Sequence, residues 1–259
     1  VAAPSEERKK TPKPGKERLD VLLVERGLAP SRERARALLL AGQVRVAGNL
    51  ADKPGTQVAK DAPIEIVGET LRYASRAGLK LEGALEDFGV AAAGRTCLDI
   101  GSSNGGFTDC LLQNDAAKVH AVDVTIDQLD WKLRKDSRVH AIEMNARHLR
   151  AENIGEPVEL VTIDVSFISV AKILPAVVEA AGPSAEFVIL VKPQFELEKS
   201  AVGKGGIVRD AAAQERAVEQ VKAAASQLGM EVLGSRPSRV RGAEGNQEFF
   251  LHARRRGVE

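Results

Sequence analysis

The stretch Cys97-Leu98-Asp99-Ile100-Gly101-Ser102-Ser103-Asn104-Gly105-Gly106-Phe107-Thr108 decides the fold. It reads as a short buried strand over Thr96–Ile100, a glycine-rich turn, and a helix over Phe107–Gln113. Glycines at 101, 105 and 106 let the backbone turn sharply and let a ligand approach it closely. Their spacing is G-x-x-x-G-G, not the G-x-G-x-x-G that seats a pyrophosphate on a helix N-terminus. Asp99, two residues before the first glycine, suits a ligand that carries an amino group.

Downstream, Val119–Val124 predicts a second strand with Asp123 near its end. An acid about 20 residues past a glycine turn commonly accepts hydrogen bonds from ribose hydroxyls in doubly wound folds. Together these features resemble the S-adenosylmethionine (SAM) site of class I methyltransferases. The resemblance implies Asp99, Gly101, Ser102, Asn104, Gly105, Gly106, Phe107, Asp123, Asn145 and Asp164 at the cofactor. A structural glycine loop, or a nucleotide site of another kind, is the alternative.

The downstream chain continues the alternation. A helix covers Trp131–Lys135, a strand Val139–Met144 precedes Asn145, and the apolar strand Leu160–Asp164 again ends in an acid. A helix around Val170–Ala180 leads to strand Glu186–Val191, which delivers Lys192. After a loop at 196–209, a helix over Ala211–Leu228 and strands at Glu231–Arg236 and Glu248–Ala253 complete the pattern. Strands alternating with helices imply a doubly wound α/β sheet with its site at the strands' C-terminal ends. Upstream, Tyr73 opens a helix toward Phe88 in which Leu79, Leu81 and Leu85 pack and Lys80 stays free. Residues 68–74 read as a linker, and 75–259 as the methyltransferase-like domain.

Residues 1–16, rich in Lys and Pro, read as a disordered basic lead-in. Leu19, Leu22, Leu23 and Val24 fit a short amphipathic helix stopped at Gly27. Ser31 suits the N-cap of a second helix with Ala35, Leu38, Leu39 and Leu40 on its apolar side and Arg32, Arg34 and Arg36 opposite. Strands at Val44–Ala47 and Ile64–Val67 follow, with a turn at Gly48-Asn49. The residues Arg18-Leu19-Asp20, Ser31-Arg32, Ala35 and Gly42-Gln43-Val44-Arg45-Val46 resemble the S-four RNA-binding domain. That resemblance spans 17–67 and implies a small α+β module that grips structured RNA through phosphates and shape. It places Arg18, Arg32, Arg34, Arg36 and Arg45 toward RNA.

Composition sets limits. The 259 residues hold one full α/β domain and a small companion, and 44% apolar content suits a sizeable core. Aromatics make up 3%, which argues against a stacking platform of the single-strand-binder kind. A net charge of +1 means that any basic surface is local, as in the N-terminal 60 residues and in Arg254-Arg255-Arg256. Cys97 and Cys110 show no C-x-x-C pairing and read as buried thiols in a reducing compartment, and the four histidines have no metal-ligand spacing. No apolar run approaches a membrane span, so a cytoplasmic protein is expected, with neither membrane nor obligate protein partner.

Lys80, Asp164, Lys192 and Glu248 remain. Singly, each passes for a surface or capping residue. In order, and in their contexts Ser75–Lys80, Ile163–Phe167, Val191–Glu196 and Asn246–Glu248, they resemble the K-D-K-E tetrad of RrmJ/FtsJ-like ribose 2′-O-methyltransferases. With the preceding RNA-binding module, the chain is similar to the TlyA family from 17 to 253. The resemblance implies SAM-dependent methylation of ribosomal RNA, with cytidine as the modified nucleotide, and no metal. A ribose hydroxyl must lose its proton as it attacks in line with the departing sulfur, so positioning matters as much as basicity. An amine accepts a proton only in its neutral form, which a nearby second cation favours. Lys192 is then the base with Lys80 as that cation, or else Lys192 stays charged and stabilises the alkoxide. Asp164 and Glu248 orient the lysines. The family's haemolysin designation offers a membrane-active alternative, and methylation of a base offers another. The latter usually employs (D/N)-P-P-(Y/F), whereas Asp164-Val165-Ser166-Phe167 lacks both prolines.

Overall fold

The computed structural model describes residues 15–29, 31–40, 42–67, 72–242 and 244–256, in two compact units divided at residue 70. The lead-in through residue 14, the linker positions 68–71 and the side chain of Leu40 lie outside the described residues.

In the small unit, α1 (Leu19–Glu25) and α2 (Arg32–Leu40) bury Leu19, Leu23, Ala35, Leu38 and Leu39 against Val44. Strand β1 (Lys16–Arg18) precedes α1, and β2 (Val44–Val46), β3 (Asn49–Leu50), β4 (Gln57–Ala59) and β5 (Ile64–Ile66) follow α2. β2 sits between β3 and β5 in an antiparallel sheet, and β1 pairs with β4. The expected strands at 44–47 and 64–67 are present. β1, β3 and β4 were not legible, because two or three residues are too few for an alternation to register. Lys16, assigned to the disordered lead-in, instead pairs with Ala59 as part of β1.

The large unit opens with α3 (Ala77–Phe88), then β6 (Thr96–Ile100), α4 (Gly106–Gln113), β7 (Lys118–Asp123), α5 (Trp131–Lys135) and β8 (Val139–Glu143). The second half runs α6 (Ala151–Ile154), β9 (Leu160–Ile163), α7 (Leu174–Ala180), β10 (Glu186–Val191), α8 (Pro193–Glu196), α9 (Ala211–Gln227), β11 (Met230–Pro237) and β12 (Phe249–Arg255). One seven-stranded sheet results, ordered β11-β12-β10-β9-β6-β7-β8. The five strands β6 to β10 are parallel, and β12 runs antiparallel between β10 and β11.

Helices cover both faces of such a sheet, so its inner strands are apolar without interruption. β10 shows the consequence of side chains alternating across a strand. Phe187, Ile189 and Val191 join the core formed with Val177 of α7 and Val221 of α9. Val188 and Leu190 join the opposite core, with Leu81 of α3 and Leu111 of α4. Burial of one such side chain contributes about 1.5–3 kcal/mol.

Two boundaries differ from the sequence reading. Tyr73, expected where the linker meets the helix, precedes the helix and is buried in the core of the large unit, and a Cβ on Gly78 would lie 2.4 Å from its ring. The chain is therefore ordered against α3 before the helix begins at Ala77. The helix expected over Val170–Ala180 is a single 3-10 turn at Val170–Lys172 followed by α7, with Pro175 in α7's first turn, where its missing N–H is not needed.

Candidate active site

Strand order reverses between β6 and β9: the chain leaves β6 for β7 and β8, then returns to β9 on the other side. The C-terminal ends of doubly wound strands form a ligand crevice at such a switch point. Gly101 lies there at φ +83°, and a Cβ on it would stand 2.3 Å from the backbone oxygen of Asp164. At Gly105, φ +91°, a Cβ would meet Leu133 at 2.2 Å, and at Gly106 it would meet Ser75 Oγ at 2.2 Å. The glycines turn the chain as expected. The space they leave is shared with neighbouring protein atoms, and Gly101 and Gly106 also line the cleft.

Asp99 also departs from its expected place. It is fully buried beneath the turn, where Thr108 Oγ1 donates to Oδ2 at 2.6 Å and Thr162 Oγ1 donates to Oδ1 at 3.0 Å. Burial pushes its pKa up to about 7 against the pull of those two hydroxyls. Asp99 thus ties α4 and β9 to β6 and does not face the crevice.

Asp123 ends β7 half-buried, accepting from Ser103 N at 2.9 Å and Thr125 N at 3.2 Å. Each of its oxygens keeps acceptor capacity. Ser102 is 4% exposed, and its Oγ has no partner within the described protein. Such an orphan costs about 1–3 kcal/mol unless a ligand satisfies it. Asn104 is exposed, and Ser103 Oγ donates to its Oδ1 at 3.1 Å. Asn145, exposed beyond β8, accepts Arg147 N at 3.0 Å and so caps a short 3-10 turn.

A cleft of about 140 Å³ is bounded by Gly101, Ser102 and Phe107 on one side and by Asp164, Ser166 and Lys192 on the other. A broader hollow along the outer face of α9, at Glu215, Arg216 and Glu219, is lined by that helix alone and gathers no groups from other elements.

Strand register assembles the tetrad. Val191 pairs with Phe249 across β10 and β12, so Lys192 and Glu248 occupy the next facing positions. β12 runs antiparallel, so it starts at the edge where the parallel strands end. Lys192 Nζ lies 2.5 Å from Asp164 Oδ1 and donates to Ser166 Oγ at 2.9 Å. Lys80 Nζ, from α3, donates to Glu248 Oε2 at 2.6 Å. The side chains of all four residues are less than 15% exposed. Gly242 makes room for the second pair, since a Cβ there would lie 2.5 Å from Glu248 Oε1. The geometry matches each lysine with a carboxylate, not lysine with lysine.

Three neighbours went unassigned in the sequence. Ser166 holds Lys192. Phe167 is 92% exposed at φ +65°, a backbone region unfavourable for a bulky residue, with its ring centroid 5.3 Å from that of Phe195. Asn246, 1% exposed, accepts Val208 N at 2.9 Å and donates to Gly206 O at 2.9 Å, pinning the 203–208 loop beside Glu248. The scarcity of aromatics did not foretell two phenyl rings meeting beside Ser166, because composition counts residues without locating them. Cys97 and Cys110 are buried free thiols whose pKa burial pushes up to about 12. Among the described residues no three His, Cys, Asp or Glu side chains gather as a metal site.

In the small unit, Arg18, Arg32, Arg36 and Arg45 are exposed or half-exposed, and Arg34 is half-buried. Arg45 donates to Gly48 O at 3.1 Å across its own turn.

The doubly wound fold and its switch-point cleft, with the orphaned Ser102 at the wall, are those of a SAM-dependent class I methyltransferase. The FtsJ-like methyltransferase family matches residues 73–255, and the S4 domain family matches residues 17–64. The chain is 48% identical over 239 residues to the 16S/23S rRNA (cytidine-2′-O)-methyltransferase TlyA of Mycobacterium tuberculosis, which covers 92% of this chain and 89% of the relative. It is 40% identical over 237 residues to Hemolysin A of Brachyspira hyodysenteriae, covering 91% of this chain and 98% of that one. A solved structure designated a hemolysin, from Streptococcus thermophilus, superimposes with a TM-score of 0.73 at 42% identity over 93% of this chain and 89% of that one. The chain belongs to the TlyA family.

Proposed function

We propose that this protein methylates the ribose 2′-hydroxyl of cytidine in ribosomal RNA, acting on ribosomal subunits in the cytoplasm, with Lys192 meeting the hydroxyl. The observation that carries the reading is one shared cleft: the glycine turn and Ser102 border it from one side, and Lys192 with Asp164 from the other. The reading is consistent with the name of the Mycobacterium tuberculosis relative.

SAM, when bound, supplies a methyl group already activated by its sulfonium charge. The residues offered to it are Ser102 Oγ, the Asp123 carboxylate, the amides of Asn104 and Asn145, and Phe107 at the cleft wall. Lys192 Nζ lies 2.5 Å from Asp164 Oδ1, which sets an amine and a carboxylate where the hydroxyl proton must go; the positive charge the pair gains with that proton is matched by the sulfonium charge lost with the methyl group. Ser166 fixes the direction of the amine. Glu248 accepts from Lys80, so that pair answers its own charge beside the strand that delivers Lys192. Two ion pairs buried this deeply stabilise a fold little better than apolar side chains of similar volume, which argues that they serve chemistry. Phe167 and Phe195 offer a surface for an unstacked base next to the target ribose. The arginines of the S4 domain would carry the phosphate contacts. No helix among the described residues is long and apolar enough to cross a membrane.

The test is transfer of radiolabelled methyl from SAM to isolated ribosomal subunits, wild type beside Lys192→Ala. We expect label in an alkali-resistant ribose linkage with wild type and none with the variant, while SAM binding stays within a few-fold. Unchanged turnover would remove Lys192 from the mechanism, and label only on bases would replace ribose by base methylation.

A further inference from the structure

Asp20 belongs to no part of the methyl-transfer machinery, yet it is fully buried and carries an unusual load of partners. Arg18 donates to it twice, Nε to Oδ1 at 2.9 Å and Nη2 to Oδ2 at 3.0 Å. Arg32, from the other helix, donates Nη2 to the same Oδ2 at 3.0 Å. The carboxylate has no exposure, whereas the side chains of Arg18 and Arg32 are 45% and 55% exposed. One acid inside the domain therefore holds two guanidinium groups side by side at its surface. The two hydrogen bonds from Arg18, reinforced by the one from Arg32, keep the carboxyl well below the usual carboxylate range, so the bridge stays charged at working pH.

Each guanidinium has five N–H donors in a rigid fork. The bridge occupies two on Arg18 and one on Arg32. Two planar forks held on one carboxylate, with a net charge of +1 over the three groups, suit the oxygens of a phosphodiester. Free arginine side chains would lose about 2 kcal/mol of rotamer entropy each on docking, and the bridge has already removed part of that freedom.

We propose that Asp20 is a positioning residue that assembles Arg18 and Arg32 into a single clamp for an RNA backbone phosphate. This rests on the reading of the S4 domain as the RNA-contacting module. Charge counting and positioning predict opposite signs for Asp20→Asn. Removing a negative charge beside two arginines should tighten RNA binding if only charge matters, and should weaken it if the carboxylate sets their geometry.

The experiment measures binding of the full-length chain to purified ribosomal subunits across a salt series, for wild type, Asp20→Asn, Arg18→Ala/Arg32→Ala, and the triple variant. We expect Asp20→Asn to weaken binding about ten-fold, the size of one charged hydrogen bond. That loss should vanish in the background lacking both arginines, and SAM affinity should stay unchanged. Equal or tighter binding by Asp20→Asn, or the same loss with the arginines absent, overturns the positioning role alone. Arginine variants that bind like wild type overturn the RNA reading and the clamp together. If Asp20→Asn does not fold, Arg18→Lys/Arg32→Lys decides. It keeps both charges and loses both forks, so the clamp requires a several-fold loss, and unchanged affinity refutes it.

Discussion

Replacing Asp99 by Asn removes a titration that the fold itself imposes. The carboxyl is fully buried, and its pKa is raised from 3.8 to about 7, chiefly by burial. In the unfolded chain the proton leaves near pH 4, whereas in the fold it stays until pH nears 7. The unfolded state is therefore progressively favoured as pH rises through that window, and the stability present at low pH is lost. Linkage over those values gives a loss of about 2–3 kcal/mol between pH 5 and pH 8 from this residue alone. Asn has the same shape, and the hydroxyls of Thr108 and Thr162, at 2.6 and 3.0 Å, can rotate to meet its amide. The single tryptophan, Trp131 on α5, reports the large unit alone. Urea unfolding followed by its fluorescence should show Asp99→Asn gaining about 2–3 kcal/mol on wild type between pH 5 and pH 8. Parallel pH profiles for the two proteins would refute the claim that Asp99 is buried in its neutral form.

The ion pair of Lys80 and Glu248 should behave as a coupled unit. Lys80→Ala or Glu248→Ala should each cost about 3–5 kcal/mol by stranding a buried charge, and the double variant should cost less than the sum; strict additivity in urea unfolding would dissolve the pair. Phe167→Gly should relieve the +65° backbone and leave stability equal or raised by up to about 1 kcal/mol, while raising KM for ribosomal subunits about ten-fold. An unchanged KM would place the ring outside the substrate path. Deleting residues 1–67 should weaken affinity for ribosomal subunits with a reduced salt slope and leave SAM affinity intact; unaltered RNA affinity would reassign the S4 domain.

Much of the large unit was legible because its signals are local. β6, β10 and α5 fall where apolar runs and turn residues put them, and a tetrad spread over 169 positions of sequence was named from short contexts around each member. Orientation was not legible. Asp99 sits beside the glycine turn in sequence, and only the faces of α4 and β9, through Thr108 and Thr162, turn it inward. Lys192 was expected near a second lysine with Asp164 and Glu248 orienting the two. The structure sets Asp164 and Ser166 at its amine, because β9 and β10 end side by side, and Glu248 at that of Lys80. Lys16 and Tyr73 were assigned to flanking segments, since neither a three-residue strand nor a single buried ring has a period to read.

The sequence by itself determined the two-domain plan, the doubly wound order of elements and the residue types available for chemistry. Periodicity, turn glycines and helix caps act over a few residues, so they are written locally. Only the tertiary structure decided which charges meet. The register of β12 against β10 carried Glu248 to the edge where Lys192 emerges, and α3 brought Lys80 to it. It also decided which neighbours crowd the three glycines and that one buried acid gathers two arginines. Those outcomes depend on contacts between segments far apart in the chain, where the cost of burying a charge is settled by what lies across from it.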